Sequence, residues 1–349
     1  MRGLRYIAPL ACLTACAALI GIEQTHEDST NGGDSGPGGP DAADEELVGD
    51  IDAGETRDAE DESTEQDLDG GAPGSDASPD AIAPPTCNLA MPFGAPKPYT
   101  ELNTSAWETG SHLSPDELTV WFQRRSSATS NDGEIYIATR TDKALAFGTP
   151  KKVTELNSSV AEGAPSVRGD GLLLFMGSDR SGSDGLDIWK SSRGSTASAW
   201  ATPVNAGNIN TSYGEDDPFL LQDGRALYWD SRRGQAGNIY RASVDSFGNT
   251  GSAVTVGTTI NTDAKESEPV VTLDELTIYF ARTGSTKAIY VAKRTSATGA
   301  WGSSSAVSEL NSSADENPDW ISADGCHITF SSDRSGGKGL YDLYHAEKP

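Results

Sequence analysis

The chain has 349 residues and a formal net charge of −26, from 52 acidic and 26 basic side chains. Residues 23–86 hold 20 of those acids against one basic residue, Arg57, and residues 87–349 remain acidic, with 32 acidic and 23 basic side chains. No basic stretch is available to neutralise a phosphate backbone, so nucleic acid is excluded as an expected partner.

At the N-terminus Arg2 and Arg5 precede an apolar run from Tyr6, and Leu13-Thr14-Ala15-Cys16 has the look of a bacterial lipobox. This predicts a signal peptide over 1–15, lipid on Cys16, and an exported protein attached to a membrane, the outer one, on its periplasmic or surface side. An ordinary signal peptide cut near Ile22, or a short membrane anchor, stays open as the plainer alternative. The run Tyr6–Ile22 is marginal for crossing about 30 Å of hydrocarbon. Residues 16–86 follow as lipidated Cys and acidic tether, too polar and too rich in Gly, Pro and Asp to offset the ordering entropy of roughly 1–2 kcal/mol per residue. With Cys12 removed and Cys16 lipidated, Cys87 and Cys326 remain. They form one disulfide or stay as two buried thiols.

From residue 87 onward one pattern occurs five times. Its copies open at Glu101-Leu102-Asn103, Glu155-Leu156-Asn157, Asn208-Ile209-Asn210, Thr259-Ile260-Asn261 and Glu309-Leu310-Asn311. A Glu follows each Asn at a constant offset (Glu108, Glu162, Glu215, Glu266, Glu316), and then an Asp (Asp116, Asp170, Asp223, Asp274, Asp324). Each copy carries a short apolar segment between Glu and Asp, a stronger one after the Asp such as Leu118 to Phe122, and a third such as Glu134-Ile135-Tyr136. A fourth runs from an aromatic residue to the next Asn: Phe147 to Leu156, Trp200 to Ile209, Phe247 to Ile260, Trp301 to Leu310. Runs of β-branched and aromatic residues between Asp-Gly and Ser-Asp-Arg turns read as strands, and no segment keeps a helical period.

Four strands per repeat of this length predict propeller blades. The Asp-Gly turn, the strand after it, Ser-Asp-Arg and the Asp-Ile-aromatic strand resemble PD40 repeats, the WD40-like, TolB-type family, in the form found in exported bacterial proteins. The resemblance spans about 93–349 and implies an all-β, five-bladed β-propeller. The fifth repeat stops after its third strand, and Phe93 to Leu102 matches the fourth-strand pattern. The N-terminal strand is therefore expected to complete the last blade. A Cys87–Cys326 disulfide would pin the same junction.

A polar residue repeated in every blade more often serves folding than chemistry. The turn Asp is expected to hold backbone amides. The Glu column and an Arg column of wandering register, Arg125, Arg180, Arg233, Arg282 and Arg334, are expected to form ion pairs that lock loops. The functional alternative is a carboxylate ring at the channel mouth that binds a cation or a basic peptide. Departures from the repeat are better candidates for a private site: Trp107, His112, Trp320, and the acidic cluster formed by Glu215, Asp216 and Asp217. Wall packing is the plainer reading for His112 and Trp320. His327 and His345 show no metal-ligand spacing, so no metal or cofactor is expected. The loop 178–187 could take calcium, but it lacks EF-hand spacing and reads better as a plain turn.

The expected function is a non-catalytic envelope module, a monomer that touches the membrane only through its lipid and recognises a protein, peptide or glycan. TolB-type propellers imply such a platform. The alternative is a glycan-cleaving enzyme that uses channel carboxylates among Asp216, Asp217, Glu316 and Asp319. A scaffold that only displays its loops is the third reading. No catalytic triad, HExxH or phosphate loop is present.

Overall fold

Short runs of apolar and β-branched residues, the first and second of each repeat joined by an Asp-Gly or Asp-Glu turn, give antiparallel strands throughout the computed structural model. It describes residues 85–127, 130–180, 185–233 and 237–349. The predicted signal, lipid site and most of the tether lie outside these residues.

The strands form five four-stranded sheets, and no described residue is helical. A short strand β1 (Lys97–Pro98) precedes blade 1, which comprises β2 (Trp107–Leu113), β3 (Thr119–Arg125), β4 (Glu134–Thr139) and β5 (Lys151–Lys152). Blade 2 is β6 (Glu162–Val167), β7 (Leu173–Ser178), β8 (Asp187–Ser192) and β9 (Val204–Asn205). Blade 3 is β10 (Glu215–Leu220), β11 (Ala226–Ser231), β12 (Asn238–Ser243) and β13 (Val254–Thr255). Blade 4 is β14 (Glu266–Val271), β15 (Thr277–Thr283), β16 (Lys287–Lys293) and β17 (Ser305–Ala306). Blade 5 is β18 (Glu316–Ile321), β19 (His327–Ser332) and β20 (Asp342–Glu347), completed by β1, which pairs Lys97 with His345 and Pro98 with Tyr344. The protein is a five-bladed β-propeller whose N-terminal strand joins the last blade, as the sequence predicts.

The outer strands are shorter than expected, two residues each, because a turn occupies the rest of each connection. Its buried aromatic, Phe93, Phe147, Trp200 or Trp301, anchors it in four blades. Phe247 breaks that column: it lies at the tip of the hairpin closed by the Val244–Thr250 bridge and is 81% exposed.

The repeated polar residues close local backbone accounts. Each turn Asp accepts the amide of the second residue after it, as Asp116 does from Leu118 and Asp324 from Cys326. The Asn column brackets the third strand: Asn157 accepts the Ile135 amide at 2.7 Å and donates to its carbonyl at 3.0 Å. Asn210, Asn261 and Asn311 do the same to Ile188, Ile239 and Ile289. The residue before each Asn (Leu102, Leu156, Ile209, Ile260 or Leu310) is fully buried and packs the blade interior. Cys87 and Cys326 are disulfide-bonded, Cα to Cα 5.7 Å, at the junction of chain ends.

Candidate functional site

The Glu and Arg columns form a ladder between blades. All five glutamates are fully buried, and each accepts the amide and hydroxyl of the Ser or Thr four residues earlier, as Glu266 does from Thr262. An arginine reaches each: Arg124 to Glu108 at 2.7 Å, Arg180 to Glu162 at 3.3 Å, Arg233 to Glu215 at 3.3 Å, Arg282 to Glu266 at 2.7 Å and Arg334 to Glu316 at 3.1 Å. The same guanidinium donates to the carbonyl of the residue before the Asn, which belongs to the outer connection of the preceding blade. Its flat face lies over the third-strand aromatic, Tyr136, Trp189, Tyr240, Tyr290 or Tyr344.

Two corrections to the sequence reading follow. The arginine of blade 1 is Arg124, directly opposite Glu108 in the register; Arg125 takes no part. The register wanders because Arg124 and Arg282 face their Glu directly. In the other blades Ser178, Ser231 or Ser332 holds that place, and the Arg curls back from two residues on. The glutamates, spent within this ladder, make no carboxylate ring at a channel mouth.

The channel pocket comes from a different feature. Every inner strand carries a bulge shortly after its Glu, where the register to the second strand shifts. In four blades the bulge holds a residue in the left-handed region: Gly110 (φ 63°), Ala164 (φ 46°), Asp217 (φ 49°) and Glu268 (φ 54°). A Cβ on Gly110 would sit 3.0 Å from the Ala164 Cα, so the small residues of blades 1 and 2 let their backbones close up. Blades 3, 4 and 5 instead offer Asp217, Glu268 and Asp319 to a cavity of about 420 Å³. An Asp or Glu in this conformation costs on the order of 1–3 kcal/mol, strain of the kind that collects at functional sites.

The acidic wall is held from several blades. Asp319 accepts the Gly110 amide at 3.1 Å and the hydroxyls of Ser111 at 3.0 Å and Ser331 at 3.2 Å. Burial pushes its carboxyl up to about 7, against the pull of the Ser111 and Gly110 hydrogen bonds. Burial likewise raises Asp216, and it raises Asp217 well above the usual range, helped by the charges of Asp216, Glu268 and Asp230. These three keep part of their surface open to the cavity. Asp216 also lies against the Cα of Gly177, where a Cβ would come within 2.7 Å of its Oδ1. Glu268 Oε1 accepts from Lys287 Nζ at 2.9 Å, while its Oε2 is buried without a hydrogen-bond partner. Lys287 is half-buried, and its desolvation alone would lower its pKa, but Glu268 beside it holds the ammonium above its ordinary range.

The opposite wall is basic and aromatic. Trp107 carries Arg125 at 3.8 Å over its ring and stacks on Tyr341 with centroids 4.5 Å apart. Its ring faces are occupied, so it offers no open platform. Its Nε1 and the Arg125 Nε are buried donors without acceptors. His112, Phe219 and Trp320 form the floor. His112 Nε2–H donates to the Val167 carbonyl at 2.9 Å, and burial, opposing that bond, lowers the imidazole to about 4, so it is neutral. Below them only about 10 Å³ remains, barely room for one water, which stops the channel.

Of the residues singled out from sequence, the structure brings Trp107, His112, Arg125, Asp216, Asp217 and Asp319 to this cavity; Trp320 closes its floor. Glu268 and Lys287 escaped notice. Glu268 was readable as the partner of Asp217, the two acidic members of a column otherwise filled by Gly110, Ala164 and Pro318. Lys287 has no such signal. The loop weighed for calcium lies in part outside the described residues.

These features define a β-propeller with a polar pocket at one end of a plugged channel. No family model and no curated protein matches the chain. Solved propellers do resemble it. TolB from Acinetobacter baumannii is 19% identical over 69% of this chain, TM-score 0.44, and the chain spans 55% of that protein's length. An α-L-arabinofuranosidase from Lactobacillus brevis is 13% identical over 72% of this chain and 92% of its own, TM-score 0.48. An endo-arabinase from Bacteroides thetaiotaomicron is 16% identical over 74% of this chain and 98% of its own, TM-score 0.48.

Proposed function

We propose that the chain is an envelope binding module that takes a sugar residue of a glycan into the channel pocket. The observation that carries this reading is the division of labour among carboxylates. The five repeated glutamates are consumed in the ladder, whereas the blade-specific Asp217, Glu268 and Asp319 converge on one cavity whose polar atoms are incompletely paired. Hydroxyl groups both donate and accept, so a sugar can bond the carboxyl groups of Asp216, Asp217 and Asp319, which keep surface open to the cavity. The cavity volume falls within the range of small-molecule sites, roughly 300–1,000 Å³. Lipid on Cys16 and the acidic tether would hold the propeller at the membrane, a reading that rests on sequence alone. Release of the protein into the soluble fraction by Cys16→Ala tests it, and unchanged membrane retention rejects it.

The test of the pocket is calorimetric titration of the purified protein with a panel of neutral and basic oligosaccharides, repeated with Asp217→Asn and Arg125→Ala. Saturable binding lost at least tenfold in both variants supports the reading. Silence across the panel, or variants that bind equally well, overturns it.

A second reading, glycan hydrolysis, draws on one observation: Asp319, held by burial between two serine hydroxyls with its carboxyl raised to about 7, keeps its proton up to near-neutral pH and can serve as an acid beside ionisable neighbours. Release of reducing ends from the same panel, abolished by Asp319→Asn, would replace binding with catalysis.

A further inference from the structure

At the other end of the inner strands, β19 and β20 place His327 opposite Glu347, with His345 two residues before Glu347 on the same strand face. One potential ligand atom from each lies within 4.8 Å of the other two. His327 is 4% exposed, and its Nδ1 faces the Glu117 Oε2 at 3.0 Å from the β2–β3 turn of blade 1. In a neutral ring bonded this way Nδ1 carries the proton and Nε2 the lone pair. Nε2 is buried with no hydrogen-bond partner. His345 is held by stacking on Tyr99, centroids 4.6 Å apart, and its ring meets His327 edge-on at 5.4 Å. Its Nδ1 is also buried without a hydrogen-bond partner and lies 4.0 Å from the Glu347 carboxylate.

Two neighbouring ring nitrogens buried without partners would each forfeit about 1–3 kcal/mol if nothing engaged them. Arg140 and Lys143 contact Glu117, and Lys97 pairs across from His345, but no cation bonds either free nitrogen. We propose that His327 Nε2, His345 Nδ1 and the Glu347 carboxylate form a three-ligand site for a divalent transition metal ion, zinc by ligand chemistry.

Glu117 would then act as the positioning carboxylate that fixes the His327 tautomer, as carboxylates behind metal-bound histidines do. Zinc bonds of about 2.0–2.2 Å place tetrahedral ligand atoms roughly 3.3–3.5 Å apart. Glu347, 63% exposed at its side chain, has the freedom to swing inward by that difference. Glu117, His327 and Glu347 also line a groove of about 700 Å³, so a fourth position would open to water or to a ligand. The site would lie within blade 5 beside the disulfide, because His327 follows Cys326, with Glu117 reaching it from blade 1.

The full-length protein, stripped with a chelator, is titrated with zinc in competition with a chromogenic chelator, and cobalt is used to record visible absorption bands. One tight equivalent with tetrahedral cobalt bands is expected, weakened at least 100-fold by His345→Gln and about tenfold by Glu117→Gln. Each variant is first checked for its disulfide and strand spectrum. If His345→Gln does not fold, the exposed Glu347→Gln decides, with a loss of at least tenfold expected. Absence of stoichiometric zinc in the wild type, or retention of wild-type affinity by the folded variants, overturns the site.

Discussion

Asn103 and Leu343, 240 positions apart, exchange two hydrogen bonds: the Leu343 amide to Asn103 Oδ1 at 2.8 Å, and Asn103 Nδ2 to the Leu343 carbonyl at 3.0 Å. In the other blades the same bracket is made by an Asn and an Ile only 22 residues apart. A local device of the repeat has become the long-range clasp that closes the ring.

The clasp and the disulfide should therefore both stabilise the closed ring. Asn103→Ala leaves the buried Leu343 amide unpaired, while the Leu343 carbonyl keeps the Tyr99 amide at 2.9 Å, and should cost about 1–3 kcal/mol. Reduction of Cys87–Cys326, which closes a loop of 239 residues, should cost about 2–5 kcal/mol. Urea unfolding with and without reductant measures both; insensitivity to reductant would refute the second.

The ladder separates two adjacent arginines. Arg124→Ala strands the fully buried Glu108 carboxylate and should destabilise by about 3–5 kcal/mol. Arg125→Ala removes a cation–π contact and should cost about 0.5–2 kcal/mol. Equal losses in thermal melts would mean that the two residues share the ladder.

Asp217→Gly should stabilise the fold by about 1–2 kcal/mol, by releasing a left-handed backbone and removing a largely desolvated carboxyl, while it weakens the pocket's ligand binding. A stability gain without loss of binding would show that the strain serves no ligand.

Asp319 gives a pH signature. Its carboxyl ionises near 3.8 in the unfolded chain and near 7 when folded, so between those values the native state holds a proton that the unfolded state lacks. The stability from this group is fully present below about pH 4 and is lost as pH rises through 7. Asp319→Asn keeps an acceptor for Gly110 but has no proton to lose. The urea midpoint of wild type relative to variant should fall between pH 4 and pH 8. A constant difference would reject the raised carboxyl.

Blade number, strand order and ring closure were legible in the sequence because each blade solves the same folding problem with the same residues at constant offsets. The Leu or Ile before each Asn, the turn Asp and the Glu recur where local backbone groups need them. The pairing of Arg124 with Glu108, the turning of Glu268 and Asp217 into one cavity, and the meeting of His327 with His345 and Glu117 were decided by tertiary structure alone. Each depends on which way a bulge throws a side chain, or on neighbours from blades at opposite ends of the chain. Linear spacing records a repeat, but it carries no measure of distance between residues that only the closed ring brings together.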